Sequence, residues 1–253
     1  MCKHFTEVRP REKKDKTQKR NSAGSGDIIC VIFIGVCLVC LNSSLLQSAK
    51  LPMSVKLPVP EGAEPKRRGW ENARGEDMRK VALFIAMSLD GYIADVNGGV
   101  AWLNGQGDDE ENIDTYSEFA ERIDTVLMGW NTYHQVATEL SPNEWVYSDF
   151  TAFVFTHREC VSSEKIHFTD EDPVALLKRL KETVGKDIWI CGGANLIQQL
   201  IDEDVIDEYD ISVIPTLLGK GIRLFGDGKK EIPLKLCRTR AYNGITELVY
   251  VHR

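Results

Sequence analysis

The sequence is short of several features that would assign a function at once. Between residues 78 and 253 no Cys-x-x-Cys pair or His/Cys cluster has metal-ligand spacing, so no metal site is predicted. The cysteines of that region, Cys160, Cys191 and Cys237, are odd in number and irregularly spaced, which fits reduced thiols better than a disulfide framework. The net charge of -7 argues against a nucleic-acid-binding surface, and no nucleic-acid partner is expected.

The chain also lacks an apolar run of the roughly 20 residues that a membrane-spanning helix needs. The apolar run at residues 28–41 is shorter than that and follows a basic stretch. This pattern is typical of a signal peptide, but a marginal membrane anchor over residues 28–46 and a translation start at Met78 are alternative interpretations. We expect membrane association only for an uncleaved anchor, and a cytoplasmic domain if translation starts near Met78.

The composition changes near residue 77. Residues 1–77 are basic, then apolar, then rich in proline and charge, without a sustained amphipathic period. Every segment from residue 78 onward has such a period. We therefore predict a leader and linker over residues 1–77 and a single globular domain over residues 78–253.

Strand and helix patterns alternate through most of this domain. Strands are predicted at residues 81–87, 125–128, 151–156, 188–191 and 208–215. Helices are predicted at residues 108–122, 173–184 and from Ala194 onward, and a short helix is predicted after the loop of residues 129–132. A closing hairpin is predicted for residues 236–242 and 245–252 across Asn243-Gly244. The alternation predicts an α/β fold with a central, mostly parallel sheet, an antiparallel C-terminal hairpin and helices on both faces.

The stretch DIWICGGANLIQQL at residues 187–200 organises the domain. A buried-strand run ends on Gly192 and Gly193 and passes directly into a helical pattern. Glycines at a strand-to-helix turn let a ligand approach the unpaired N–H groups of the helix, where an anion such as phosphate is favoured. When this stretch is considered by itself, a strand-to-helix turn that binds no ligand is the alternative to an anion-binding turn.

Two further loops are predicted at the carboxyl ends of strands, Gly129–Thr132 and Thr156–Arg158. Ligands bind at this edge in open α/β sheets, and Thr, His and Arg side chains suit a phosphate on an adenosine ribose. Three such loops at one edge indicate a dinucleotide site. The GxGxxG spacing of ordinary dehydrogenases is not matched.

Four motifs, AMSLDGYIA, VLMGWNTY, WICGGANLIQQL and VIPTLLGKGIRLF, together resemble the dihydrofolate-reductase-like superfamily. The resemblance covers residues 78–253 and is greatest to the bacterial branch related to the reductase domain of the riboflavin-biosynthesis deaminase-reductase. It implies a single dihydrofolate-reductase-like domain that uses NADPH to transfer a hydride to a pyrimidine- or pteridine-like heterocycle.

The resemblance also implies a set of cofactor-binding positions around the nicotinamide, the phosphates and the adenosine. These positions are Ala86, Gly129, Trp130, Asn131, Thr132, Thr156, His157, Arg158, Gly192, Gly193, Ala194, Asn195 and Leu196. The resemblance also places the loop of residues 88–93 beside the nicotinamide. Trp102, Tyr116 and Phe119 are the candidate walls of the substrate pocket. Asp90 and Asp114 are the candidate catalytic carboxylates, although Asp90 also suits a turn-forming role.

The named reaction that the resemblance favours is the 5-amino-6-(5-phosphoribosylamino)uracil reductase step of riboflavin biosynthesis. A dihydrofolate-reductase-like activity and a non-catalytic, nucleotide-binding descendant of the fold remain as alternatives. A homodimer is expected as a possible assembly, with the apolar residues Ile211, Val213 and Ile214 as candidate contacts.

Overall fold

The computed structural model describes residues 78–107, 112–228 and 230–253. The strands are β1 (Val81–Ser88), β2 (Tyr92–Ala94), β3 (Ile123–Gly129), β4 (Thr151–Phe155), β5 (Ile166–Thr169), β6 (Asp187–Gly192), β7 (Glu208–Ile214), β8 (Ile222–Arg223), β9 (Leu234–Tyr242) and β10 (Ile245–His252). The helices are α1 (Thr115–Ala120), α2 (Trp130–Gln135), α3 (Pro173–Lys181) and α4 (Ala194–Asp202). A π-helical turn, Val136–Leu140, continues α2.

The main sheet has the strand order β5-β4-β3-β6-β1-β7-β10-β9. The strands from β5 to β7 run parallel, whereas β10 pairs antiparallel with both β7 and β9. The turn between β9 and β10 places Asn243 at φ 43° and Gly244 at φ 72°, the left-handed conformations that an Asn-Gly hairpin turn uses. The predicted parallel sheet with an antiparallel C-terminal hairpin is therefore confirmed.

Helices cover both faces of the sheet because successive strand residues point to opposite sides. Phe84 and Trp189 pack on one face in a cluster that includes residues of α1. Leu83 and Ile188 point to the other face and pack with residues of α3 and α4, including Leu200. The near-continuous apolar runs of β1 and β6 are thus the expected signature of strands buried on both sides.

Several segments differ from the prediction, among them the short strands β2 and β8, which were not predicted. The helix expected at residues 108–122 is shorter, because α1 begins after Asp114 and ends at Ala120. Residues 108–111 lie outside the described residues. The edge strand β5 was not predicted, since all four of its residues are half-buried and its pattern therefore does not alternate.

The apolar surface expected to join two protomers is mostly internal. Ile211 is 5% exposed and Ile214 is fully buried, each within a hydrophobic cluster of the same chain. Both residues are therefore wrong as dimer contacts, and the homodimer stays a prediction without an assigned surface.

The interpretations that concern residues 1–77 lie outside the described residues. Within the ranges that the structure describes, no helix is both long and apolar enough to cross a membrane.

Candidate functional site: a cavity at the carboxyl edge of the sheet

A cavity of about 1440 Å³ lies at the edge where β1, β3, β4, β5 and β6 end. At this edge the chain leaves each parallel strand and enters the segment that leads to the next helix. Ligands bind at this edge in α/β proteins. Of the 88–93 loop, which the resemblance places beside the nicotinamide, Ile93 lines this cavity and residues 88–92 do not. The other positions that the resemblance implies for the cofactor all line it. They are Ala86, Gly129, Trp130, Asn131, Thr132, Thr156, His157, Arg158, Gly192, Gly193, Ala194, Asn195 and Leu196.

The middle of the cavity is formed by two loops from adjacent strands. The N–H of Gly193, after β6, donates a hydrogen bond to Oγ1 of Thr132, in α2, at 3.1 Å. Gly192 has φ +153°, and a Cβ atom there would lie 3.4 Å from the same hydroxyl oxygen. Because 3.4 Å is an ordinary contact distance, the backbone conformation and not the close approach explains the glycine at position 192.

Helix α4 begins at Ala194, and its N-cap, Gly193, makes no side-chain hydrogen bond to the first turn. Helix α2 begins after Gly129 in the same way. In contrast, Asp114 caps α1 and Asp172 caps α3 through hydrogen bonds to backbone N–H groups. The helix starts at the centre of the cavity thus carry no carboxylate that would repel an anion, and the N-terminal dipole of α4 favours a phosphate there.

The end of the cavity next to β4 and β5 carries Arg158 together with the carboxylates of residues 170–172. The guanidinium carbon of Arg158 lies 4.9 Å from the centroid of the Trp130 ring, within cation–π distance. The Arg158 N–H donates to Oγ1 of Thr156 at 3.1 Å. Trp130 is itself braced by Tyr133 and Phe168, with ring centroids 5.6 and 6.3 Å away. The guanidinium is therefore supported on a fixed aromatic surface, which suits recognition of a phosphate group.

One continuous face of α2 and the π-helical turn lines the length of the cavity. Its members share helical spacing from position 132, and they are Thr132, Gln135, Val136, Glu139 and Leu140. The segment was predicted only as a short helix, so the last four residues were missed. Their spacing of three, four, seven and eight residues after Thr132 was the signal that could have found them.

The other end of the cavity is largely apolar. Its lining includes Val100, Leu103 and Tyr147, and the Tyr147 side chain is almost fully buried. The Cys191 thiol also lines the cavity and lies 3.9 Å from the Tyr147 hydroxyl oxygen. Burial raises the pKa of Cys191 to about 12, so the thiol stays protonated at neutral pH.

Two of the predicted substrate walls belong to the hydrophobic core. Tyr116 and Phe119 are only 6% and 3% exposed, and neither lines the cavity. Phe119 stacks on Phe84 with ring centroids 4.2 Å apart, and both Tyr116 and Phe119 meet the edge or face of Trp189. Their assignment to the substrate pocket is therefore wrong, because α1 turns its aromatic face toward the sheet.

The third predicted wall, Trp102, lies behind the cavity lining. Its Nε1–H donates to the Gly99 carbonyl oxygen at 3.2 Å, and it packs beside Leu103 and Tyr242. Val100 and Leu103 line the cavity, whereas Trp102 does not. Trp102 thus supports the loop that forms the wall.

The two predicted catalytic carboxylates have structural roles outside the cavity. Asp90 accepts hydrogen bonds from the Ser88 hydroxyl at 2.6 Å and from the N–H groups of Leu218 and Gly219 at 3.1 and 2.7 Å. The Ser88 hydrogen bond in particular lowers the pKa of Asp90. Asp114 accepts from the Ser117 N–H at 2.9 Å as the cap of α1. Neither side chain lines the cavity, so both catalytic assignments are corrected.

The mostly parallel sheet, its antiparallel C-terminal strands and the cavity at its carboxyl edge define a dihydrofolate-reductase-like domain. The chain belongs to the RibD C-terminal domain family, whose model matches residues 79–248.

Three relatives illustrate this membership. The chain is 41% identical over 177 residues to YwjB of Bacillus subtilis (strain 168), a protein without an assigned function, and the match covers 68% of this chain and 98% of YwjB. A solved structure from Shewanella sp. PV-4, assigned to riboflavin biosynthesis, is 30% identical with a TM-score of 0.60, covering 69% of this chain and 99% of that one. Dihydrofolate reductase from Enterococcus faecalis, complexed with NADP(H), shares the fold at 16% identity and a TM-score of 0.50, covering 69% of this chain and 96% of the reductase.

Proposed function

We propose that the protein is an NADPH-dependent reductase that acts on a pyrimidine- or pteridine-like heterocycle. The observation that carries this proposal is the convergence of three strand-end loops on one long cavity. The glycine turn after β6, the start of α2 and the Arg158 loop all line it. Its centre suits a pyrophosphate, its end beside β4 suits a ribose phosphate, and its apolar end suits a flat ring.

Each part of the cavity has a separate task in this proposal. The Thr132 hydroxyl and the N-terminus of α4 would hold the pyrophosphate, because unpaired N–H groups and the helix dipole stabilise negative charge. Arg158, supported by Trp130 and flanked by His157, would hold the 2′-phosphate that distinguishes NADPH from NADH. NADPH, when bound, supplies the hydride that reduces an electron-poor ring carbon or imine of the acceptor.

The apolar end of the cavity would place the acceptor ring and exclude water from it. Leu103, Val136 and Tyr147 are almost fully buried and line this end together with Ala86. An apolar pocket with a few polar groups is the usual form of a small-molecule site.

The relatives support the coarse form of this proposal. The family is that of the RibD C-terminal domain, and the related Shewanella structure is assigned to riboflavin biosynthesis. The named reaction that this kinship favours is the reduction of 5-amino-6-(5-phosphoribosylamino)uracil. The Enterococcus reductase of the same fold is complexed with NADP(H).

The first test is a fluorescence titration of the full-length protein with NADPH and with NADH. We expect NADPH to bind more tightly and Arg158→Ala to weaken NADPH binding by about tenfold or more, because a charge-assisted contact to phosphate is lost. The matched control is Arg253→Ala, an exposed arginine outside the cavity lining, which should leave both affinities unchanged.

The second test follows NADPH oxidation in the presence of pyrimidine and pteridine acceptors. Failure to bind either dinucleotide would overturn the reductase proposal. Tight NADPH binding without oxidation by any heterocycle would instead favour the non-catalytic, nucleotide-binding alternative.

A further inference from the structure

We propose that the acceptor end of the cavity selects heterocycles without an anionic group, so that the acceptor is a ring that carries neither a phosphate nor a carboxylate. The selecting feature is the charge of the cavity walls, because Arg158 lies at the cofactor end and the carboxylate of Glu139 lies at the acceptor end. This inference rests on the proposed reductase function and narrows the substrate class of the same cavity. The phosphoribosyl pyrimidine of the named reaction then falls outside that class.

The arginine of the cavity lining is remote from the acceptor end. Among residues 78–107, 112–228 and 230–253, Arg158 is the only lysine or arginine that lines the cavity. Its guanidinium lies over the ring of Trp130, the first residue of α2. Glu139 follows nine residues later in the same helical segment, which corresponds to roughly 13 Å along a helix axis. Arg158 is therefore placed to hold a phosphate of the cofactor and not one of the acceptor.

The acceptor end carries a carboxylate instead. Glu139 lines the cavity seven residues after Thr132, on the same face of the helical segment. Its sequence neighbours Val136 and Leu140 pack in one cluster with Tyr147, which belongs to the apolar wall of this end. Within the part of the chain that the structure describes, no lysine or arginine forms an ion pair with Glu139. Its negative charge therefore acts on whatever ligand occupies this end.

The chain that builds the acceptor end is acidic. Residues 81–157 contain thirteen Asp and Glu residues but a single Lys or Arg, which is Arg122. The cavity-lining parts of β1, of the loop before α1, of α2 and of the π-helical turn all belong to this stretch. Arg122 lies at the opposite edge of the sheet, where it pairs with Asp187 and Glu208, the first residues of β6 and β7. The guanidinium of this stretch is thus far from the acceptor.

The arginines of β8 and β9 are engaged outside the cavity. The guanidinium carbon of Arg223 lies 4.7 Å from the centroid of the Tyr92 ring, and Arg223 donates to the Tyr92 hydroxyl at 3.2 Å. Arg240 pairs with Glu118 at 2.6 Å and with the buried Glu247 at 3.2 Å. Neither arginine lines the cavity. A phosphate at the acceptor end would therefore exchange water for apolar side chains and a like charge, which opposes its binding.

Two pairs of ligands test this inference, because the members of each pair share a ring system and differ in one anionic group. They are pterin with pterin-6-carboxylate, and uridine with uridine 5′-phosphate. The full-length protein is titrated with each ligand at low ionic strength and with saturating NADP⁺, which keeps the nucleotide out of the cofactor half of the cavity. We expect the uncharged member of each pair to bind about tenfold or more tightly than its anionic counterpart.

Glu139→Arg should reduce each preference to about threefold or less, since it places a positive charge where the wild-type protein has a negative one. The matched control, Glu164→Arg, makes the same change at an exposed residue outside the cavity and should retain the full preference. Equal or tighter binding of an anionic member, no binding of either uncharged member, or a preference that survives Glu139→Arg would each overturn the inference.

NADPH binding is measured separately on every variant. A protein that binds NADPH but prefers the anionic ligands disproves only this inference and favours the phosphoribosyl pyrimidine as acceptor. A protein that binds neither NADPH nor NADH disproves the reductase proposal itself.

Discussion

The Thr132 hydroxyl oxygen accepts a hydrogen bond from the Gly193 N–H across 3.1 Å and joins two loops that are 61 residues apart in the chain. The contact exists because β3 and β6 are neighbours in the sheet, so the loops that follow them meet at its carboxyl edge. It orients both the start of α4 and the cavity-lining face of α2. Thr132 thus links the glycine turn to the helix that carries Glu139.

We predict that Thr132→Val weakens NADPH binding by about tenfold, because the nearly isosteric side chain cannot accept the Gly193 hydrogen bond or donate to a phosphate. Fluorescence titration of the two proteins measures the change. Thr138→Val is the matched control, since the Thr138 hydroxyl donates to the His134 carbonyl oxygen in the same helical segment but does not line the cavity. Equal losses in the two variants would show that the effect comes from the helix and not from the site.

The preference for NADPH over NADH should depend on Trp130 as well as on Arg158. Trp130→Leu removes the aromatic surface under the guanidinium, and a cation–π contact of this exposure corresponds to about a two- to fivefold effect on NADPH affinity. NADH binding should change little, so the ratio of the two dissociation constants is the informative quantity.

Trp130→Phe keeps an aromatic face and should restore most of the ratio. Parallel losses of NADPH and NADH affinity in Trp130→Leu would instead assign Trp130 a packing role through Tyr133 and Phe168.

The strand ends and the glycine turn could be predicted from sequence because each rests on local information. A continuous apolar run predicts a strand buried on both faces, and Gly192 and Gly193 mark where it turns. Because these strands run parallel, the loops that follow them lie at the same edge of the sheet. The cofactor-binding residues implied by the resemblance accordingly line the cavity, apart from residues 88–92.

The acceptor end could not be predicted in this way, because it depends on which face of a helix meets which layer. The aromatic residues Tyr116 and Phe119 suit a ligand wall and a hydrophobic core equally well by their chemistry. The structure packs them against Phe84 and Trp189. Glu139 was missed because the extent of the helical segment beyond Thr132 was not recognised.

The hydrogen bonds that Asp90 accepts from the 218–219 backbone give it a structural role that can be tested. Asp90→Ala removes the acceptor for the Leu218 and Gly219 N–H groups, so we expect faster hydrogen exchange at these two amides and a lower melting temperature. NADPH affinity and the rate of NADPH oxidation should stay within about threefold of the wild-type values, since Asp90 lies outside the cavity lining. A loss of turnover with unchanged amide exchange would return Asp90 to the catalytic group.

The pH dependence of stability should have a contribution from Asp210, a buried residue of β7 that faces β10 and β9. Burial, and next the negative charge of Glu247, raise the pKa of Asp210 to about 7. The guanidinium of Arg238, 3.6 Å from the Asp210 carboxylate, acts in the opposite direction. In the folded protein Asp210 therefore keeps a proton that the unfolded chain releases near pH 4.

Because the folded state binds more protons between about pH 4 and pH 7, the free energy of unfolding must fall as the pH rises through this window. We expect Asp210→Asn, which cannot ionise, to reduce the fall in the free energy of unfolding between pH 5 and pH 8 by a few kcal/mol at most, at about 1.4 kcal/mol per unit of pKa difference. Urea denaturation at pH 5 and pH 8 measures the difference, with the exposed Asp149→Asn as the matched control. If the pH dependence is unchanged in Asp210→Asn, then Arg238 and Arg240 keep the Asp210 carboxylate ionised over the whole pH range. In that case these arginines, and not a proton, neutralise the acidic pair of Asp210 and Glu247.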